Sequence, residues 1–369
     1  MTTYYIDGGR PDDTGNGLTI ATAKKTLNGA EDVPVVAGDL VHVRQGTYRE
    51  LLTVDVSGTA GNPIEYRGDY TGVIFGDAFG GIVRVTGSDN DQTGVRANCI
   101  IASAKNYRTF TGFLLDSNTA GPMVSVQTAS TNWIIQQCVV YPYIGTGQFH
   151  VYFVGAGGNH TIQNCVFFSG SGRAIAFLAS AGFDNSGNLV QNCIILGPSN
   201  NPGIGSDRVG GITIKNCIVA YTNSGIRVTT ALNAGQTITV NNCLLVGNLT
   251  ALQATIAGEI TENYNNFSGN ATDRTNTNTG ANSIAYPQLF DPRWAFQLMF
   301  AQAAAQLVSP FDLASFSQLV NLAGTSPTTT DLRGQAILGA QREWGALEYN
   351  SDLKISGKHA FARYLMGLG

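Results

Sequence analysis

Thr161-Ile162-Gln163-Asn164-Cys165-Val166-Phe167-Phe168 returns as Leu189-Val190-Gln191-Asn192-Cys193-Ile194-Ile195 and again as Thr213-Ile214-Lys215-Asn216-Cys217-Ile218-Val219. An earlier copy stands at Trp133-Ile134-Ile135-Gln136-Gln137-Cys138-Val139-Val140, and a later one at Thr237-Ile238-Thr239-Val240-Asn241-Asn242-Cys243-Leu244-Leu245. The five cysteines are 27, 28, 24 and 26 residues apart. Each lies between apolar, β-branched runs of strand length that lack helical periodicity. A unit of this size cannot bury an apolar face alone. Units therefore stack as coils whose strands pair in parallel, about 4.8 Å apart. The repeat predicts an all-β parallel β-helix, one elongated domain where 369 residues would otherwise suggest two.

Within the repeat, the residue before Cys is Asn164, Asn192, Asn216 or Asn242, with Gln137 in the first copy. Asn tolerates a left-handed backbone, and its amide donates and accepts along a stack, so these positions predict an amide ladder at a bend. Cys165, Cys193, Cys217 and Cys243, with Cys138, then open the next strand as small core residues. Six cysteines could make three disulfides. Five of them occupy one repeat position and no C-x-x-C pair occurs, so reduced thiols are expected, with neither a disulfide framework nor a zinc site. Earlier strands are expected at Val83–Val85, Cys99–Ile101 and Phe110–Leu115. A weaker copy, Ile260 to Phe267, reads as having Tyr264 in place of Cys and as closing the regular stack.

The ends of the chain add a resemblance. Tyr4-Tyr5-Ile6-Asp7, Ala23 to Leu27, Gly38 to Glu50 and Gly61 to Tyr66, with Thr330 to Gly334 and Trp344 to Tyr349 near the other end, resemble the cap, first coils and last strand of the right-handed, single-stranded, pectate-lyase-like β-helix superfamily. The resemblance implies one domain over 1–349: a cap over about 1–50, regular coils over about 51–290, and a closing strand ending at 349. The superfamily holds polysaccharide lyases, hydrolases, epimerases, adhesins and phage tailspikes, so it implies a fold and leaves the activity to the site. Two stretches depart from it. Trp294 to Leu307 is apolar and helix-forming, which predicts a C-terminal helical insertion over 293–322 that packs as a cap or makes a subunit contact. Residues 350–369 carry Lys358 to Met366, a basic and aromatic tail that reads equally as a docking peptide or a frayed end.

Charged residues make up 12% of the chain and the net charge is −4, without a basic stripe, so nucleic acid is not an expected partner. No run of about 18 apolar residues exists, which argues against a membrane span. Met1 to Asp7 has no signal-peptide pattern, so synthesis in a host cytoplasm is expected. His42 sits among alternating strand residues and reads as an outward polar position.

Catalysis on polysaccharides needs clustered acids: two carboxylates for hydrolysis, or calcium-binding Asp beside a base for elimination. Counted back from the next cysteine, Asp184 falls at nine, Arg208 at nine and Asp207 at ten, so the three are candidates for neighbouring places on adjacent coils. All lie in Gly- and Ser-rich turns where Asp is an ordinary residue. Arg173 and Arg227 lie on turns without an acid in their own coil and are expected to be solvated or to meet Asn carbonyls. Trp133, Tyr141, Tyr143 and Tyr152 are the densest aromatic group and the candidates for stacking on sugar rings.

With no calcium set, nucleophile motif or phosphate loop, the sequence predicts neither cofactor nor catalysis. The expected role is a structural or surface protein of a phage virion, such as a capsid decoration, fibre or tailspike-like protein. It is expected to form a homotrimer, to meet other virion proteins through 350–369, and to bind glycan. The alternative is a polysaccharide hydrolase or lyase, extracellular as an adhesin would be, working through Asp184 and Asp207 or an interchain groove.

Overall fold

The computed structural model describes residues 1–286 except 34, 78–79, 90–95, 97, 118–120, 143–148, 156, 169–171 and 180–184. The helical insertion, the closing strand, the tail, Tyr143 and Asp184 lie outside the described residues.

The repeat folds as expected, into a parallel β-solenoid of about 8 turns. Each complete coil contributes a strand to each of three faces. The first face is a 10-stranded sheet running from Thr3–Ile6 through Leu40–Arg44 to Ile260–Asn263, and includes Ile134–Gln136, Thr161–Gln163 and Asn188–Gln191. The second face holds Leu114–Ser117 and the strands after the five repeat cysteines, among them Val139–Pro142 and Val166–Phe168, and ends with Ile284–Tyr286. The third holds Val124–Gln127, Phe149–Val154 and Arg173–Leu178. Two long strands, Ile194–Asp207 and Ile218–Thr230, run across the corner between the second and third faces and join them into one 17-stranded sheet.

The corner before each cysteine explains the repeat. Gln137, Asn164, Asn192, Asn216 and Asn242 all have φ between 53° and 55°, the left-handed region that Asn tolerates better than most L-residues. Each turns the chain by about one strand direction and passes its backbone N–H to the next coil, as Asn192 N does to Lys215 O at 3.2 Å. The Asn192 amide donates to Asn164 Oδ1 at 3.2 Å. A tighter amide ladder runs one residue earlier, outside the first face. Gln191 Nε2 donates to Gln163 Oε1, and Gln163 Nε2 to Gln136 Oε1, each at 2.7 Å.

After the corner, each cysteine points inward, free and fully buried. In the five repeat copies the thiol donates to the carbonyl two residues back, at 3.2 Å for Cys138, Cys165 and Cys193, while Cys99 donates to Asp116 O at 3.0 Å. Burial pushes the Cys99 thiol up to about 12. In the weaker copy, the expected exchange of Cys for Tyr is corrected by the register. Tyr264 takes the left-handed corner at φ 56°, while Asn265, fully buried, takes the cysteine place and accepts from Cys243 N at 2.8 Å.

Inside the coils, Tyr66, Phe110 and Trp133 stack with centroids 5.4 and 5.5 Å apart. Arg108 also lies inside, fully buried, where it covers the Tyr66 ring and pairs with Glu31 of the short helix Leu27–Asp32. A second interior pair, Arg274 with Glu262 at 2.8 Å, lies at the other end of the described coils. His42 alternates outward as expected, yet it is only 7% exposed because the Tyr5 ring lies beside it, 5.9 Å between centroids. That burial lowers its pKa.

Candidate functional site

The third face carries a polar and aromatic patch on its outer surface. Register places Tyr152 beside Ala176, Ala176 beside Gly205, and Gly205 beside Arg227. Small residues at 176 and 205 leave room for the flanking long side chains to lie flat against the sheet. A Cβ on Gly205 would stand 2.6 Å from Arg173 Cδ, so the glycine is needed for Arg173 to reach across to the next coil. There, Arg173 Nη1 meets Asp207 Oδ2 at 3.1 Å, with the two side chains 13% and 19% exposed. The guanidinium also covers the Phe149 ring at 5.4 Å, a cation–π contact. Phe149 in turn stacks on Tyr152, centroids 4.7 Å apart and planes at 19°. Burial and the Asp207 charge together raise the Tyr152 pKa, so its phenol stays protonated and is a donor.

Three polar atoms in this neighbourhood are buried without a hydrogen-bond partner: Asp207 Oδ1, Arg227 Nε and Thr229 Oγ1. A buried polar atom left unpaired costs about 1 to 3 kcal/mol. Asp207 and the Arg227–Thr229 pair lie on two adjacent coils. Among the described residues the patch supplies two guanidinium groups against one carboxylate, an excess of one positive charge.

The sequence-based candidates divide. Asp207 belongs to the patch and pairs there with Arg173, which corrects the expected solvation of Arg173; Asp184, its expected neighbour, lies outside the described residues. Arg208 is a turn residue with φ 64°, whose N–H donates to Thr230 O at 3.1 Å. Trp133 is not a surface ring. It is fully buried in the core, with Nε1 donating to Lys105 O at 2.7 Å. Tyr141 lies on the second face, edge-on to Phe168 at 5.5 Å, and is separated from Tyr152 by a corner. Of the described members of the aromatic group, Tyr152 alone stands where a ligand could meet it beside charge. Phe149, Gly205 and Thr229 were not foreseen. Among the described residues, no cluster of three or more His, Cys, Asp or Glu is placed to hold a metal ion.

This architecture can be set beside known structures. A rhamnogalacturonan lyase superposes with a TM-score of 0.55 at 16% identity, covering 73% of this chain and 74% of that one. An alginate lyase from Paenibacillus gives 0.51 at 14% identity over 71% and 93%. The chain has the parallel β-helix fold of these two lyases. A pectate lyase aligns over 95% of this chain and 97% of its own, at 15% identity and a TM-score of 0.47. No protein-family model matches the sequence, and neither does any curated protein. At these identities the likeness is one of fold.

Proposed function

We propose that this chain is a polysaccharide-acting β-helix protein that binds an acidic glycan along the outer surface of its third face. The observation that carries the reading is the outward grouping of Arg173, Asp207 and Arg227 beside the stacked Phe149–Tyr152 pair. Flat rings suit the apolar faces of sugars. An excess guanidinium suits a carboxylate, which it can meet through two parallel N–H donors. Coils about 4.8 Å apart present these groups at intervals close to the length of one sugar unit. The two structures superposed above, a rhamnogalacturonan lyase and an alginate lyase, lend support to this reading and none to the virion role expected from the sequence.

If the bound chain is cleaved, the patch favours elimination over hydrolysis. Hydrolysis uses two carboxylates about 5 to 9.5 Å apart, and Asp207 is the single carboxylate among the described residues of the patch. Elimination needs the uronate charge neutralised, a base that takes the proton α to the carboxylate, and a proton for the glycosidic oxygen that leaves. Arg227 would do the first, the Asp207 carboxylate the second and the protonated Tyr152 phenol the third. The test is incubation with polygalacturonate, alginate and a neutral glucan, followed by calorimetric binding and by assay for unsaturated ends. Binding to a uronate polymer and not to the glucan is the expected result. Equal binding to all three, or to none, removes the reading.

A further inference from the structure

The second face carries a surface that the proposed function does not use. Its outward positions, read from the ladder, are Val139, Val166, Ile194, Ile218 and Leu244 in one column and Tyr141, Phe168, Leu196, Ala220 and Val246 in the other. Solenoid exteriors are ordinarily polar, yet this stripe is apolar over five consecutive coils. Its members from Ile194 to Val246 are at most 1% exposed, and they stand apart from the interior core cluster. A strand's outward side chains are not hidden by ladder neighbours alone. No described strand or helix packs over them. Beyond Leu244 in the same column comes Asn266, also fully buried, whose Nδ2 and Oδ1 both lack a partner among the described residues.

We propose that this stripe is a docking surface for the chain's own segment Trp294 to Leu307. The last described strand, Ile284–Tyr286, ends in the same face. Val246 lies two coils back from Tyr286, about 10 Å. The link from Tyr286 to Trp294 spans at most about 26 Å, so the segment reaches the stripe without strain. In the segment, Trp294, Leu298, Ala301 and Ala305 recur at the spacing of one helical face. As a helix the segment is about 21 Å long, against about 19 Å for five stacked coils. An apolar helical face of matching length, tethered within reach, is the occupant the stripe fits. A polar backbone end or side chain of the same segment would complete the Asn266 amide.

Hydrogen exchange on the full-length protein tests this, comparing wild type, Ile218→Lys and Leu298→Asp. In wild type, the amides of 294–307 should be protected. In either variant they should exchange about tenfold faster or more, while the strands keep their protection. Leu298→Asp leaves the solenoid sequence untouched, so it remains informative should Ile218→Lys misfold. Protection of 294–307 unchanged in both variants overturns the proposal, as does a segment unprotected in wild type. Dissociation of an oligomer in Ile218→Lys, without faster exchange in the segment, would assign the stripe to a second copy and likewise overturn it.

Discussion

Replacing Asn192 by Leu separates what its backbone does from what its side chain does. Asn192 sits at φ 53°, 3% exposed, with its amide donating to Asn164 Oδ1 at 3.2 Å. Leucine in the left-handed region costs about 1 to 2 kcal/mol. Loss of the amide bond, which leaves Asn164 Oδ1 short of a donor, adds about 1 kcal/mol. Asn192→Leu should therefore destabilise by about 2 to 3 kcal/mol. Asn192→Gly keeps the backbone conformation at no steric cost and should lose only about 1 kcal/mol, with a small further entropic term. Urea unfolding followed by circular dichroism measures both, provided the slope with denaturant is the same for all three proteins. A Leu variant as stable as wild type, or a Gly variant less stable than Leu, would refute the assignment of this corner to left-handed geometry.

Other consequences follow from the interior. Arg108→Leu leaves Glu31 buried without its cation and should cost about 3 to 5 kcal/mol, whereas the double change Arg108→Leu with Glu31→Gln should recover part of that loss in a thermal melt. His150 and His160 are buried and neutral, with pKa values lowered from 6.5 to about 3 by that burial. Below pH 6.5 the unfolded chain takes up protons that the folded chain refuses. Each histidine therefore contributes stability that is fully present above 6.5 and is lost by about 1.4 kcal/mol per pH unit as pH falls toward 3. A His160→Gln variant should show a correspondingly shallower acid limb in a pH series of urea midpoints, and an unchanged limb would contradict this.

The fold was legible because one corner of the coil has an invariant length. From Cys to the inward residue of the second face is always two residues, as in Cys138 to Val140 and Cys243 to Leu245, so the repeat stays in register by eye. The site was less legible because the next corner varies. From cysteine to the matched inward residues of the third face, Val151, Ile175, Ile204, Ile226 and Leu252, the step is 13, 10, 11, 9 and 9 residues. Counting from cysteines therefore hid the meeting of Arg173 with Asp207, which the sheet register creates. Trp133 was misplaced for a related reason. Its position lies just before the first strand of its coil, where a large ring can turn inward onto Phe110, and composition alone does not tell an inward ring from an outward one. Gly205 carries no signal in the sequence, since its role is to be absent from the path of Arg173.

The central claim is that an acidic glycan lies on the third face, held by Arg227. The most direct measurement is the affinity of wild type and Arg227→Ala for the best uronate ligand, each taken at low and high salt. A charged hydrogen bond lost at the site should weaken binding by about tenfold to a hundredfold, with a smaller dependence on salt in the variant and the solenoid still folded. Equal affinity and equal salt dependence in a folded Arg227→Ala protein would contradict the account and move the glycan off this face.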